Sequence, residues 1–237
     1  MKNFYTTLIQ GTIDESSVSF DSLAKYKEYG DVVISTYNKD ILDINFSEEF
    51  LQGTKLVTTD LPEIPNHPCG WLKKSTFYYA LTTMYNGVCQ VRTPFVIKTR
   101  TDERWGTFDP FIEEFEKNYD SLVCGNIFCR KVTDMPYHFG DHIFIVKTVY
   151  LKNALKKLIH YIDNSKSMTG SAEQILCMSI MDAMGKPANT ENFLQIINIV
   201  DINRVKDFHA VWRHGEKDYK NSFVNPYNVS NNDHLQD

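Results

Sequence analysis

The sequence has 237 residues, and hydrophobic side chains make up 42% of it, enough for the core of one large α/β domain or two very small ones. Its formal net charge of −5 argues against non-specific nucleic-acid binding, which usually needs a basic surface. Five cysteines without a CxxC pair predict free thiols in a reducing compartment rather than a disulfide framework or a zinc knuckle.

The N-terminal segment does not have the pattern of a targeting sequence. It carries one lysine and a short apolar run that threonines interrupt, so we expect neither a signal peptide nor a membrane anchor. No segment approaches the roughly 20 apolar residues that a membrane span needs. These features predict a cytoplasmic protein without an integral membrane segment, which can still work at a membrane face through a partner.

The first half of the chain alternates β-rich and helical patterns. A strand is predicted at 3–11, ending in Gly11. A helix is predicted at 17–30, with Ser16 or Ser17 as its N-cap and Gly30 as its stop. Further predicted elements are strands at 31–38 and 54–60, a proline-rich loop at 60–68, a helix from Cys69 to about Val91, and a strand from Phe95.

The second half continues this alternation. We predict helices at 108–119, 149–162 and 171–184 and strands at 120–128 and 142–148, whereas 192–205 fits either a strand or a helix. The alternation predicts a mostly parallel sheet that is covered on both faces. Such sheets bind ligands outside the carboxyl ends of their strands, so the strand ends at 10–12, 35–38 and 100–103 would line one crevice.

The strand that starts at Phe95 carries an unusual row of charges. With period two, Lys98, Arg100 and Asp102 share one face, whereas Glu103 lies on the other if the strand stays extended. Asp102 at a strand exit can hold a hard divalent cation, and the two cations beside it would then receive a diphosphate. The same spacing also allows a purely structural ion pair between Arg100 and Asp102, and the residues alone leave both readings open.

Several segments together resemble glycosyltransferases of the GT-A fold, namely "VVISTYNKD", "KKST" and "FVIKTRTDE". The resemblance is greatest to WavE-type lipopolysaccharide-synthesis proteins and to small viral sugar transferases. There a K-x-R-x-D run, matched by Lys98, Arg100 and Asp102, replaces the D-x-D motif. The likeness implies a three-layer α/β/α, GT-A-like (Rossmann-like) domain. It also implies a nucleotide-sugar donor and a divalent metal, Mn²⁺ or Mg²⁺, on Asp102, with His209 completing the metal shell.

The likeness also suggests a catalytic base. In inverting GT-A enzymes the carboxylate of an x-E-D triplet takes the proton of the acceptor hydroxyl, and residues 172–174 occupy that place. Since Gln174 cannot accept a proton usefully, Glu173 is the expected base, and Asp141 is its rival as base or as a sugar ligand. The alternative is that Glu173 is only a first-turn acid on a helix that Ser171 caps.

The resemblance further indicates where the nucleotide would bind. The expected residues are Gln10, Gly11, Thr12, Thr36, Lys73 or Lys74, and Thr76, with Lys98 and Arg100 at the diphosphate. We therefore predict one domain over 1–220 and a polar tail over 221–237. This domain would transfer a sugar from a nucleotide-diphosphate donor to a glycan or lipid-linked acceptor, with metal assistance and inversion.

Two other functions remain open from the sequence. A nucleotidyltransferase usually has a glycine-rich, basic loop after its first strand, and 10–17 has one glycine and no lysine. A non-catalytic module that binds a nucleotide sugar or a glycan stays possible, because Arg100 and Gln174 replace two aspartates of the GT-A pattern. The sequence indicates no oligomeric state.

Overall fold

The structure is a computed structural model that describes residues 4–14, 17–41, 46–48, 52–62, 77–164 and 169–211. Two of the predicted donor-binding residues, Lys73 and Thr76, lie outside the described residues. So do the proline-rich loop from residue 63 onwards, the first part of the helix predicted from Cys69, and the boundary predicted between 220 and 221.

The centre of the fold is a seven-stranded sheet. Its strands are β1 (Tyr5–Gln10), β2 (Gly30–Tyr37), β3 (Thr54–Thr59), β4 (Phe95–Arg100), β6 (Leu122–Gly125), β7 (Phe144–Lys147) and β8 (Ile197–Val200), in the order β3-β2-β1-β4-β7-β6-β8. All neighbours pair in parallel except β7, which is antiparallel to both β4 and β6. A separate antiparallel ribbon joins β5 (Glu103–Arg104) to β9 (His209–Ala210).

The described helices are α1 (Leu23–Tyr29), α2 (Phe77–Val88), α3 (Asp109–Phe115), α4 (Thr148–Asp163), α5 (Ala172–Ala183) and α6 (Thr190–Ile196). The segment 192–205, which fitted either a strand or a helix, contains parts of both, since α6 runs directly into β8. The helix predicted at 17–30 begins as a 3-10 turn, Val18–Ser22, and becomes α-helical only at Leu23. Ser17 does not cap it, because the Ser17 hydroxyl accepts from the backbone N–H of Asp14 in the preceding loop.

Alternate strand residues pack into two separate cores. Leu8, Val33 and Val96 point to the face covered by α2, α4, α5 and α6. Their neighbours Ile9 and Ile34, together with other β-branched and aromatic side chains, point to the face covered by α1 and α3. Burying each such side chain contributes roughly 1.5–3 kcal/mol. The predicted α/β fold class with a mostly parallel sheet is therefore confirmed, and its three layers are consistent with a GT-A-like, Rossmann-like domain.

The pairing of β1 fixes where the strand ends lie. Gln10 is in register with Ser35 of β2 on one side and with Arg100 of β4 on the other. Because all three strands run in the same direction, their carboxyl ends stop at one level. The three strand ends that the sequence placed in one crevice are thus brought together at the edge of the sheet.

Two expectations from composition concern the environment of the chain. Within the described ranges, the helices are too short or too polar to cross a bilayer. Cys89, Cys124, Cys129 and Cys177 carry free thiols, and the sulfurs of Cys124 and Cys129 lie 3.9 Å apart in the core. Burial raises the pKa of the Cys177 thiol, so this side chain packs as a small apolar group.

Replacing Gly87 by alanine tests how closely α2 packs on the sheet. A Cβ at this position would lie 2.5 Å from Leu8 Cδ1 and 2.8 Å from Ser35 Cβ, both in the interior. Alanine in an unconstrained helix would stabilise it by about 0.5–1 kcal/mol, but here we expect a loss of about 1–3 kcal/mol from overpacking. Urea unfolding measures the difference. An unchanged or increased free energy of unfolding would show that α2 packs less closely.

Candidate functional site

A cleft of about 1070 Å³ opens at the carboxyl ends of β1, β2 and β4. It brings together most of the site residues that the sequence predicts. Those that line it are Gln10, Gly11, Thr12, Lys98, Arg100, Asp102, Asp141 and Glu173. Residues from the two halves of the chain thus meet at one site.

Lys98 forms the deepest charged part of the cleft. Its side chain is 1% exposed, its Nζ donates to the backbone carbonyl of Asp141 at 2.5 Å, and it lies 5.6 Å from the centre of the Phe144 ring. Burial lowers the pKa of this ammonium, and the negative charge of Asp141 opposes that shift. The contact fastens the loop before β7 to β4, so it positions Asp141 at the cleft.

Arg100 and Asp102 form a two-point ion pair. Arg100 Nε donates to Asp102 Oδ1 at 2.8 Å, and Arg100 Nη2 donates to Oδ2 at 2.7 Å. Burial alone would raise the pKa of the Asp102 carboxyl, but the hydrogen bonds from Arg100 outweigh it and the pKa is lowered. The ion pair that the sequence left as an alternative is therefore present, and it fixes the plane of the guanidinium.

Glu103 belongs to the same cluster, although an extended strand would have placed it on the opposite face. The chain turns at Thr101 and Asp102 before β5 begins, which changes the direction of the next side chain. The Glu103 side chain is 1% exposed, its Oε1 pairs with Nδ1 of His142, and it lies 3.5 Å from Arg100 Nε. Sequence reasoning did not assign a role to His142, which also lines the cleft.

The two candidate bases have different surroundings. Burial would raise the pKa of the Asp141 carboxyl, but the charges of Lys98 and then of His142 lower it. Glu173 is 30% exposed and its Oε2 lies 3.5 Å from Nε2 of His138, whose pKa is lowered mainly by burial. Asp141 therefore sits among cations, whereas Glu173 pairs with a histidine that tends to be neutral.

Gln174 has a structural role at the start of α5. The Ser171 hydroxyl accepts from the Gln174 backbone N–H at 3.3 Å, and Gln174 Oε1 accepts from the Ser171 N–H at 2.9 Å. The Gln174 amide also donates to the Pro136 carbonyl at 2.7 Å. The expected Ser171 N-cap is confirmed as a full capping box. Glu173, one residue earlier, is left to face the cleft.

The residues at the end of β1 mainly hold the strand ends together. Gln10 is buried and its Nε2 donates to the Thr83 hydroxyl at 2.8 Å. At Gly11, φ is +147°, and a Cβ would lie 2.6 Å from Oγ1 of Thr101. Thr101 in turn donates to the Thr12 carbonyl at 2.7 Å. The glycine is thus required by the close approach of two strand ends, and the backbone around it still borders the cleft.

Two predicted site residues do not line the cleft. Thr36 is fully buried in β2, and its hydroxyl donates to Asp40 Oδ2 at 3.1 Å. His209 lies in β9 opposite Arg104 and is not among the cleft-lining residues. The chain nevertheless passes close to the site, because the N–H of Val211 donates to the Asp102 carbonyl at 2.9 Å.

No protein-family model matches the chain, and no curated protein matches its sequence. Solved structures do resemble it. One is S. aureus TarS, with 13% identity over 87% of this chain and 36% of that chain, at a TM-score of 0.49. Another is the apo form of mouse xyloside xylosyltransferase 1, with 9% identity over 84% of this chain and 85% of that chain, at 0.44. Likenesses this distant assign no activity to the chain.

The residues present can be compared with what a divalent metal needs. In the part of the chain that the structure describes, no three His, Cys, Asp or Glu side chains are grouped so as to hold a metal ion. Both carboxylate oxygens of Asp102 already accept from Arg100, and His209 does not border the cleft. Among the described side chains there is therefore no ready-made metal site, and the divalent metal stays a prediction.

Asp102→Asn tests the Arg100–Asp102 pair through its pH dependence. Because the pKa of Asp102 is lowered from 3.8 in the folded chain, the carboxylate stabilises the fold above that pH, and the effect is lost as pH falls below it. We expect Asp102→Asn to lower the free energy of unfolding by about 1–2 kcal/mol at pH 7. Solvent screens part of the interaction, because the Arg100 side chain is 36% exposed.

The measurement is urea unfolding of both proteins at pH 7 and at pH 3.5, with the exposed Asp31 changed to asparagine as a control. The difference between wild type and Asp102→Asn should shrink at the lower pH. A difference that stays constant or grows on acidification would contradict the pairing.

Proposed function

We propose that the chain is a glycosyltransferase. It moves a sugar from a nucleotide-diphosphate donor to a hydroxyl of a glycan or lipid-linked acceptor. The observation that carries the proposal is that two cations, Lys98 and Arg100, line one cleft together with a partly exposed carboxylate, Glu173. The two cations are suited to bind an anionic leaving group, and the carboxylate can act as a proton acceptor.

Both cations keep hydrogen-bond donors for a ligand. A guanidinium has five N–H donors, and Asp102 accepts from only Nε and Nη2 of Arg100. An ammonium has three donors, and the Asp141 carbonyl accepts one from Lys98. Their protein partners therefore orient these groups without exhausting them. They would stabilise the charge that develops on the nucleoside diphosphate as it leaves.

Glu173 is the better candidate for the acceptor base. A base needs a pKa near the working pH, and the cations around Asp141 lower the pKa of that carboxyl, which weakens it as a base. We assign Asp141 instead to hold sugar hydroxyls. Glu173 takes the acceptor proton as the hydroxyl attacks the anomeric carbon. Direct displacement then breaks the bond to the diphosphate oxygen and inverts the anomeric centre.

The free thiols of the core favour a reducing compartment such as the cytoplasm. We place the reaction there, and a lipid-linked acceptor would bring it to the membrane face.

Nucleotide binding tests the donor site. We expect one of the uridine, guanosine, cytidine, adenosine and thymidine diphosphates to raise the melting temperature, since a ligand that binds only the folded state stabilises it. Each is measured with Mn²⁺ and with EDTA, so any metal requirement is read from the same experiment. If none of the diphosphates shifts the melting curve in either condition, the proposed function is wrong.

Glu173→Gln and Asp141→Asn separate the two carboxylates, and both changes keep the side-chain shape. With the nucleotide sugar of the base that binds, Glu173→Gln should lower turnover at least 100-fold and leave the nucleotide-induced melting shift unchanged. Asp141→Asn should mainly raise KM for the donor sugar. The reverse pattern would make Asp141 the base. If neither the wild type nor the variants hydrolyse any nucleotide sugar, the chain is a binding module rather than an enzyme.

A further inference from the structure

We propose that His138 is a positioning residue for Glu173. From behind the lining of the cleft, its imidazole N–H holds the carboxylate of the base in the direction of the acceptor. The inference rests on the proposed function, because it concerns how the proposed base is held. It assigns a role to a buried histidine to which the sequence pattern gave none.

His138 acts on a ligand only through Glu173. Its side chain is 8% exposed and is not among those that line the cleft, whereas Glu173 lines the cleft and is 30% exposed. Nε2 of His138 lies 3.5 Å from Oε2 of Glu173, which is longer than an ordinary hydrogen bond. Catalytic hydrogen bonds are often long before a substrate binds, and they shorten in the complex.

The surroundings of the imidazole determine which of its nitrogens carries the proton. Nδ1 of His138 is buried and has no hydrogen-bond partner among the described residues. A proton there would leave a buried donor unsatisfied, and an unprotonated Nε2 would face a carboxylate oxygen, lone pair against lone pair. The neutral tautomer with its proton on Nε2 avoids both costs. Nε2–H is therefore the donor that faces Glu173.

A neutral imidazole suits this role better than an imidazolium. Burial is the main cause of the lowered pKa of His138; the charges of Glu173 and Asp141 oppose it, and that of Arg130 acts in the same direction as burial. A neutral donor orients the carboxylate, whereas a full positive charge would stabilise its ionised form and weaken it as a base. Because Nε2 already carries a proton, the histidine does not relay the acceptor proton away from Glu173.

The loop between β6 and β7 fixes His138 against the first turn of α5. The backbone N–H of His138 donates to the Met135 carbonyl at 3.3 Å. The side-chain amide of Gln174, the residue after Glu173, donates to the Pro136 carbonyl of the same loop at 2.7 Å. The glutamine that replaces the aspartate of the GT-A pattern thus holds the loop that brings the histidine to the base.

Tyr137, the residue before His138, has a strained backbone. Its φ is +65°, a conformation that a non-glycine residue keeps only where the surroundings impose it, often at functional sites. Its ring packs edge-on against Phe193 of α6, with the ring centres 5.7 Å apart. This contact and the strained backbone set the direction in which the next side chain leaves the loop.

The test is a mutant cycle on the hydrolysis of a nucleotide sugar, with water as the acceptor. The substrate is whichever of UDP-glucose, UDP-N-acetylglucosamine, GDP-mannose and TDP-glucose the wild type hydrolyses fastest. His138→Leu removes the donor, and His138→Gln keeps an N–H close to the place of Nε2. If His138→Leu does not fold, His138→Asn replaces it, because the shorter amide does not extend to the place of Nε2. Leu158→Ala, a core change on α4 away from the cleft lining, controls for lost stability.

We expect His138→Leu to lower kcat about tenfold, which is the effect of one hydrogen bond, and to leave KM and the diphosphate-induced melting shift unchanged. His138→Gln should retain most of the wild-type kcat. Leu158→Ala should lower the melting temperature and keep kcat at temperatures well below it. In the Glu173→Gln background His138→Leu should lower kcat no further, because a residue that acts through Glu173 has nothing left to position.

The outcomes separate the two proposals. If the wild type hydrolyses a nucleotide sugar but the loss of the His138 donor leaves kcat unchanged, or lowers it equally with and without Glu173→Gln, the assignment of His138 is overturned and the proposed function stands. The same holds if His138→Gln loses as much activity as His138→Leu. If the wild type hydrolyses none of the nucleotide sugars, the proposed function fails and this inference fails with it.

Discussion

The parallel pairing of β1 with both β2 and β4 is the constraint on which the cleft depends. It brings Gln10, Ser35 and Arg100 to one level, so that three strands end together. Gly11 allows the strand ends to approach, because Thr101 occupies the space that a Cβ would need. Lys98 and Arg100 lie near the carboxyl end of β4, on the same face of the strand. The sheet therefore sets the direction of their side chains into the cleft, and no flexible loop is involved.

The charged residues at this edge illustrate how a buried site is kept stable while it remains able to bind. Each cation has a protein partner that fixes its geometry: the Asp141 carbonyl for Lys98 and the Asp102 carboxylate for Arg100. Neither partner uses all of the available N–H donors. Charges that are held in place before the ligand arrives need little reorganisation, which is the condition for effective electrostatic stabilisation of a leaving group.

The sequence predicted the site better where it depends on strand direction than where it depends on side-chain packing. The period-two alternation and the alternation of strands and helices correctly predicted that the charged end of β4 and the end of β1 lie at one edge of the sheet. For Glu103 they left the face dependent on whether the strand stays extended, and a turn at residues 101–102 redirects it towards His142. Thr36, expected at the donor nucleotide, is buried in β2 and its hydroxyl donates locally to Asp40. Gln174 caps its helix through the local pair with Ser171, and only its further bond to the Pro136 carbonyl is a contact that no local pattern shows.

The most direct test of the account is a crystal structure of the chain with the nucleoside diphosphate that stabilises it. The account predicts that phosphate oxygens lie within hydrogen-bond distance of the side-chain nitrogens of Lys98 and Arg100, with Glu173 facing the open side of the cleft. A diphosphate bound elsewhere, or in the cleft without contact to either cation, would contradict the central claim that this strand end is the seat of the leaving group.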